Sequence, residues 1–237
     1  KTDGSDYPYS RLLSVKQEIL RAKDKGLKVI LDLHYSDTWA DPNQNIIPTD
    51  WVHGISETST DGNVNFLASQ IETYTKFVLD ELYRSNALPD IVQVGNEING
   101  NILLTDSYQS LTVDQIATQI GVSVSDLNDD KYKINWDRNA RLINTGLLTI
   151  KNNYPEVKTM LHLASPFFTL WWLNEAFNEN TTNRLGNEIV NQDLVDIVGM
   201  SYYLGELDQQ QSLPVVKQII DNIGDMYDKK VLIVETV

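Results

Sequence analysis

The chain has 237 residues, a hydrophobic content of 41% and a formal net charge of −14 at pH 7, which suits one large core and hence a single domain. The acidic charge disfavours nucleic acid, anionic membranes and polyanionic substrates as partners and leaves a neutral ligand as the better fit. The sequence contains no cysteine, which excludes disulfides and thiolate metal sites, and no apolar run approaches the length of a membrane span.

Buried-strand patterns alternate with helical patterns along the chain. Short β-branched runs are typical of strands buried on both faces, and segments with apolar residues at helical spacing lie between them. The predicted elements are a helix at 10–25, a strand at 28–33, a helix at 65–84, a strand at 91–94, helices at 112–120 and 135–152, a strand at 159–164, a helix at 166–178, a strand at 196–203, a helix at 214–226 and a strand at 231–234.

This alternation predicts an α/β protein with a parallel sheet and right-handed crossovers. A doubly wound sheet often carries a glycine-rich phosphate loop, and none follows any predicted strand. A (β/α)8 TIM barrel gathers its functional residues at the carboxyl ends of several strands, which is where polar residues cluster here. Because the sequence starts on a helix, stops on a strand and holds five strands, we expect a partial barrel, with residues 1–237 forming one domain that lacks strands at both ends.

Two glutamates mark the most informative strand ends. The strand at 91–94 leads directly into Gly95, Asn96 and Glu97, and the terminal strand finishes on Glu235. A carboxylate that follows a buried strand, an amide and a permissive glycine is placed for chemistry more than for packing. Taken singly, such a glutamate is more often a cap or a surface charge, whereas the two together form a candidate acid pair.

Other strand ends carry candidate ligand-binding residues. The loop after the first strand crowds polar and aromatic side chains together and is longer than a connection requires. With the later strand ends it supplies the candidates His34, Asp37, Trp39, Asp41, Trp51, His162, Tyr202 and Tyr203. Trp171 and Trp172 are adjacent on a helix, so at least one is expected in the core. Three histidines without metal-binding spacing argue against a metal site.

Four motifs resemble glycoside hydrolase family 53. They are His34–Pro42 with Gln44 and Trp51, then Gly95–Gly100, Gly199–Tyr203 and Val234–Thr236. Members of that family are endo-β-1,4-galactanases, retaining enzymes within a larger clan of (β/α)8 glycosidases. The resemblance implies that this segment spans strands 3 to 7 of the barrel, with the first two strands and the last strand outside it.

The resemblance also implies a role for each candidate residue. Glu97 would be the acid/base and Glu235 the nucleophile of a double displacement on galactan or type I arabinogalactan. Burial and the charge of Glu235 are expected to raise the pKa of Glu97. Asn96 would donate to a sugar 2-hydroxyl, and Tyr202 or, by preference, Tyr203 would orient Glu235. The predicted substrate contacts are His34, Asp37, Trp39, Asp41, Trp51 and His162.

The same resemblance bears on partners and location. No cofactor is expected to be required, and any calcium ion would take its ligands mostly from outside this segment. A polysaccharide substrate implies secretion or cell-surface display, and we expect a monomer. Two alternatives stay open: another retaining β-glycanase of the clan, such as a mannanase or an endoglucanase, and a non-catalytic carbohydrate-binding barrel. The polar region at 101–133 is interpreted as an insertion that adds a wall to the cleft.

Overall fold

The structure is a computed structural model that describes residues 8–56, 60–128, 130–181, 184–203 and 212–236. Its helices are α1 (Leu12–Asp24), α2 (Thr49–Val52), α3 (Thr60–Arg84), α4 (Val113–Ile120), α5 (Val124–Leu127), α6 (Trp136–Asn153), α7 (Pro166–Phe177) and α8 (Leu213–Tyr227). Its strands are β1 (Ile30–Leu33), β2 (Ile91–Val94), β3 (Lys158–Leu163), β4 (Ile197–Ser201) and β5 (Lys230–Glu235).

The five strands form one parallel sheet in the order β1-β2-β3-β4-β5. Each strand therefore pairs with the next strand in the sequence. A doubly wound sheet reverses its strand order at a switch point, whereas a barrel adds every strand on the same side of the preceding one. The chain is a partial (β/α)8 barrel, as the alternation of elements predicted.

The middle of the sheet is buried on both faces. Val92, Leu161 and Val198 have no exposed surface, which explains why these strands are continuous apolar runs rather than alternating ones. Helix α6 approaches the sheet closely at Gly146, where an added Cβ would lie 2.8 Å from Cγ1 of Val94. The helical layer and the sheet therefore share one continuous core.

The predicted and observed elements agree in type and order, with differences at their ends. Helix α3 starts at Thr60, five residues before its predicted start, because the weak helix formers Gly62 and Asn63 concealed the first turns. Strand β4 ends at Ser201, so the predicted strand at 196–203 was too long. The short helices α2 and α5 were not predicted.

The region at 101–133 has a small core of its own. The core consists of Leu104, Tyr108, Leu111, Ile116, Ala117, Ile120 and Leu127. Helix α4 begins with a capping box between Thr112 and Gln115 and ends on Gly121 in the left-handed conformation, both of which are strong local boundary signals. The buried Arg138 on α6 attaches this region to the barrel by donating to the Ile102 and Leu103 carbonyls.

Candidate active site

Glu97 leaves the carboxyl end of β2 through a tightly turned backbone. Gly95 has φ +79° and Glu97 has φ +46°, and a non-glycine residue in this left-handed region costs on the order of 1 kcal/mol. The Gly95 N–H donates to the Leu33 carbonyl and the Ile98 N–H donates to the His162 carbonyl. The turn is thus held by both neighbouring strands, as expected for a strained residue at a functional site.

Glu97 and Glu235 meet at the mouth of the partial barrel. A carboxylate oxygen of Glu97 lies within 4.8 Å of one of Glu235. Both side chains line a cleft of about 990 Å³. In retaining glycosidases the two carboxyl groups lie about 5 to 5.5 Å apart, whereas inverting enzymes need a wider gap for a water molecule. The spacing fits direct attack by one carboxylate while the other transfers a proton.

The Tyr203 hydroxyl contacts Glu235, and the preferred role of Tyr203 in orienting the nucleophile stays a prediction. Its hydroxyl donates to Oε2 of Glu235 at 2.5 Å, and partial burial together with this bond raises the pKa of Tyr203. The Tyr202 side chain is buried, and its backbone N–H donates to the Glu235 carbonyl. Tyr202 therefore holds the backbone of Glu235, and Tyr203 holds its carboxylate.

A chain of buried polar side chains lies behind Glu97. Ser201 Oγ is 2.6 Å from Oε1 of Glu97 and 2.9 Å from Nε2 of His162. The Nδ1 atom of His162 is 2.7 Å from Oδ1 of Asn96, and Nδ2 of Asn96 donates to the Ala40 carbonyl at 2.9 Å. Burial lowers the pKa of His162 to about 4, against a smaller raising effect of the Glu235 charge.

The geometry also bears on metal binding. Among the described residues, Glu97, His162 and Glu235 each offer a ligand atom within 4.8 Å of the others. Both ring nitrogens of His162 already have hydrogen-bonding partners, and a nitrogen that binds a metal must give up its partner. We interpret Glu97 and His162 as members of a hydrogen-bonded chain through Ser201, with Glu235 bonded to Tyr203, rather than as a ligand set.

The loop after β1 divides its predicted site residues between two cavities. Trp39 lines the cleft that holds the carboxylates and also a second cavity of about 590 Å³. His34 and Asp37 line the second cavity, where His34 Nε2 lies 2.8 Å from Asp32. Asp37 accepts from the backbone N–H of Thr49. Both side chains thus have structural partners of their own.

Other predicted contacts are placed in structural roles. Trp51 is buried and packs edge-to-face on Tyr74, so the structure does not bring it to the cleft with the acid pair. Asp41 accepts from the backbone N–H of Asn43 within its own turn. His162 is 1% exposed, which places it behind Glu97 rather than against a ligand. The predicted contacts of these three residues with a substrate stay predictions.

Asn96 and the adjacent tryptophans fit their predicted places. Asn96 is buried beside Glu97 and uses one of its two amide hydrogens for the Ala40 carbonyl, so its predicted bond to a sugar hydroxyl stays a prediction. Trp171 is half exposed and lines the cleft. Trp172 is fully buried against Trp136, which confirms that one of the pair belongs to the core.

The sequence reasoning missed several residues at the site. One of them is Ser201, which contacts Glu97. It lies in the motif that ends at Tyr203, but no role was predicted for it. The signal for it was available, because alternation along a strand puts Ser201 and Tyr203 on one face. Phe168 on α7 and Tyr132 from the insertion also line the cleft, and the insertion does supply a wall.

The parallel partial barrel, the close acid pair and the cleft with exposed aromatic side chains are the arrangement typical of retaining glycosidases. Residues 3–237 match the model of Glycosyl hydrolase family 53, and the chain belongs to that family.

Curated relatives carry galactanase names. An arabinogalactan endo-beta-1,4-galactanase of Cellvibrio japonicus is 34% identical over 232 residues, which cover 96% of this chain and 51% of the relative. A probable arabinogalactan endo-beta-1,4-galactanase A of Aspergillus terreus is 31% identical over 224 residues, which cover 91% of this chain and 52% of the relative. The chain therefore spans about half the length of these relatives.

Solved structures share the fold. A structure from a study of two fungal beta-1,4-galactanases superposes with a TM-score of 0.72 at 25% identity, covering 99% of this chain and 59% of its own. The Ignisphaera aggregans GH53 catalytic domain superposes with a TM-score of 0.68 at 24% identity, covering 95% of this chain and 50% of its own. The second likeness supports the barrel architecture alone.

Proposed function

We propose that the protein to which these residues belong is a retaining endo-β-1,4-galactanase acting on galactan or type I arabinogalactan. The observation that carries the proposal is the approach of the Glu97 and Glu235 carboxylates to within 4.8 Å in one cleft. Family membership and the names of the relatives support the reaction class and the substrate. The proposed chemistry requires no cofactor.

In the first half of the reaction Glu235 attacks the anomeric carbon and Glu97 transfers its proton to the departing glycosidic oxygen. A covalent galactosyl ester forms on Glu235 as the C–O bond to the leaving sugar breaks. The Tyr203 hydroxyl keeps the Glu235 carboxylate oriented for attack. Because Tyr203 stays protonated at neutral pH, it serves as a donor throughout.

In the second half Glu97, now a carboxylate, removes a proton from a water molecule. That water attacks the anomeric carbon, the ester bond to Glu235 breaks, and the product keeps the β configuration. Two displacements at one carbon explain the retention. The close spacing of the two acids supports this sequence over a single displacement by water.

The cleft suits a neutral sugar chain. Trp39, Phe168 and Trp171 each expose half or more of their surface and line the cleft, and flat aromatic faces pack against the apolar faces of sugars. An open cleft also allows binding in the middle of a polymer, which an endo-acting enzyme needs.

We also propose that the protein acts outside the cell, because a polysaccharide does not enter cells. We further propose that it is a monomer. None of the helices in the described ranges combines the length and the apolarity required to span a bilayer. Activity in the culture medium or on intact cells tests the location, and sedimentation of the natural protein tests the monomer.

Substitution of the two glutamates in the natural protein tests the proposed function. Glu97→Gln and Glu235→Gln are expected to reduce kcat on galactan by about 100- to 10,000-fold or more. A factor of this size is the usual contribution of a proton-transferring group. Asp130→Asn is the matched control, because Asp130 is an exposed acid of the same cleft. Unchanged hydrolysis by both glutamine variants would contradict the catalytic assignment and favour a non-catalytic binding barrel.

Substrate choice is tested separately. Parallel assays on galactan, mannan and cellulose distinguish a galactanase from other retaining glycanases with the same acid pair. Proton NMR of the first products on galactan should show the β anomer before mutarotation. An initial α anomer would rule out the double displacement.

A further inference from the structure

The orientation of the Asn96 amide is set by its neighbours. Its Nδ2 lies 2.9 Å from the Ala40 carbonyl, which can only accept, so the amide oxygen faces the other way. That oxygen lies 2.7 Å from Nδ1 of His162. Because the amide oxygen can also only accept, the hydrogen in this contact belongs to Nδ1.

Gln93 supports this assignment. Its Nε2 lies 3.0 Å from the Asn96 amide oxygen and 3.1 Å from the Gly95 carbonyl, with Nδ1 of His162 further away at 3.2 Å. An amide nitrogen carries two hydrogens, and these two oxygens together with the Asp32 carboxylate are acceptors enough for both. Gln93 therefore has no hydrogen left for Nδ1, which is free to be the donor to Asn96.

The direction of the next two bonds follows. With the hydrogen on Nδ1, the Nε2 atom of neutral His162 is an acceptor, and the ring is neutral at pH 7 because burial lowers its pKa. The Ser201 hydroxyl, 2.9 Å from Nε2, must then donate its only hydrogen there. With that hydrogen committed to His162, the 2.6 Å contact between Ser201 and Glu97 takes its hydrogen from a protonated Glu97 carboxyl, whereas an ionised Glu97 would accept the Ser201 hydrogen instead.

We propose that Asn96, His162 and Ser201 form a directional hydrogen-bond chain that holds Glu97 in its protonated form, with Ser201 as the positioning residue that contacts it. This inference rests on the proposed function, in which Glu97 is the acid. It gives His162 a role behind the acid instead of one against the sugar. A hydrogen bond that accepts from the neutral form of a carboxyl favours that form.

Ser201 also fits the second half of the reaction. When substrate is bound, the single Glu97 proton gives up its contact with Ser201 and passes to the leaving oxygen, and the new carboxylate needs a donor. The Ser201 hydroxyl then rotates its hydrogen from Nε2 of His162 to Oε1 of Glu97, and the hydrogen returns once Glu97 has taken a proton from water. A hydroxyl can serve both states because it donates and accepts.

Four further titratable groups face this chain. Glu235 lies on β5, and Tyr203 follows β4 and hydrogen-bonds Ser201. Asp32 lies on β1 and hydrogen-bonds Gln93, and His34 follows β1 and contacts Asp32. The Glu235 charge raises the pKa of His162 and a charged His34 lowers it, and burial outweighs both. The negative charge of Glu235 also favours the protonated form of Glu97, so it acts in the same direction as the chain.

The hydrogen positions can be tested in the unmodified natural protein. Nitrogen-15 NMR of histidine side chains at pH 7 should show His162 as the neutral tautomer protonated on Nδ1. A His162→Gln variant identifies the signal by its disappearance. A neutral ring protonated on Nε2, or an imidazolium, would overturn the proposal. This measurement needs no turnover, so it is independent of the proposed function.

A double-mutant cycle tests the coupling to Glu97. His162→Phe removes the Nε2 acceptor and frees Ser201 to donate to the carboxylate, so the alkaline limb of kcat/KM should move about half to one unit towards lower pH. In the Ser201→Ala background the same substitution should give no further shift, because the connection is already broken.

Two outcomes of the cycle would overturn the proposal. One is an unmoved alkaline limb in His162→Phe. The other is an equal shift with and without the Ser201 hydroxyl, as a merely structural effect of the phenylalanine would produce. Ser201→Thr, which keeps the hydroxyl, should preserve the shift. If Glu97→Gln loses activity but the NMR spectrum shows His162 in another state than the expected tautomer, the hydrogen-bond chain is wrong and the proposed function is unaffected.

Discussion

The Tyr203 hydroxyl holds the proposed nucleophile through a single short bond to Oε2 of Glu235. Tyr203→Phe removes this bond and keeps the ring. A hydrogen bond to a charged group contributes about 1.5 to 3 kcal/mol, so kcat should fall about 10- to 100-fold. Steady-state kinetics on galactan measures this, and Tyr83→Phe, at an exposed position away from the cleft, is the control. A variant with unchanged kcat would show that Glu235 is oriented by other contacts.

His162 makes stability depend on pH in a defined direction. Its pKa falls from an ordinary value of 6.5 to about 4 on folding, so the unfolded chain binds more protons between these values. Stability should therefore be undiminished above about pH 6.5, decrease as pH falls and level off below about pH 4, with a loss on the order of 3 kcal/mol.

Denaturant unfolding of the natural protein at several pH values measures this effect. Because other groups also titrate, the comparison is with His162→Gln, whose side chain does not titrate. The slope of unfolding free energy against pH between about 4 and 6.5 should be smaller in the variant. Identical slopes would show that His162 charges as easily in the folded protein as in the unfolded chain.

At the scale of elements, the sequence patterns and the structure agree because the signals are local. Apolar runs such as Ile91–Val94 are too short for helices and are bounded by turn residues, so their type is well determined. The helix start at Thr60 was missed because Gly62 and Asn63 are weak helix formers. Helix α2 has four residues, too few to show a periodic pattern.

Two helical glycines give opposite predictions at this scale. An added Cβ at Gly146 would meet Val94 at 2.8 Å and the Tyr35 hydroxyl at 3.2 Å, whereas one at Gly224 would meet nothing within 4 Å. Gly146→Ala should destabilise the protein by about 1 to 3 kcal/mol through overpacking. Gly224→Ala should stabilise it by about 0.5 to 1 kcal/mol, because alanine is the better helix former.

Thermal or denaturant unfolding of the natural protein distinguishes the two variants, and each is the control for the other. Changes of opposite sign in the free energy of unfolding would agree with both predictions. Equal effects at both positions would mean that helix propensity alone governs them and that α6 does not approach the sheet as closely as the distances indicate.

At the scale of the whole molecule, the meeting of the acid pair was predictable, whereas the hydrogen-bonded contact between Ser201 and His162 was not. Glu97 and Glu235 both follow buried strands, and parallel strands bring their carboxyl ends to one edge, so their meeting follows from the fold class. The contact of Ser201 with His162 depends on the pairing of β3 with β4, where His162 lies opposite Gly199. The burial of Trp51 could not be predicted, because an aromatic residue in a long loop carries no sequence signal that separates core from cleft.

The edges of the sheet predict that the isolated segment self-associates. Within the described residues, β1 and β5 each pair on one side only, and Ile30, Leu232 and Ile233 on these strands are 36–41% exposed. An unpaired apolar edge is a template for pairing with another chain.

The 237-residue segment produced alone should therefore self-associate. Sedimentation velocity over a range of concentrations measures this, and Ile233→Lys should reduce the association because a lysine on an edge strand opposes pairing. A monodisperse monomer at every concentration would mean that the exposed edges do not pair.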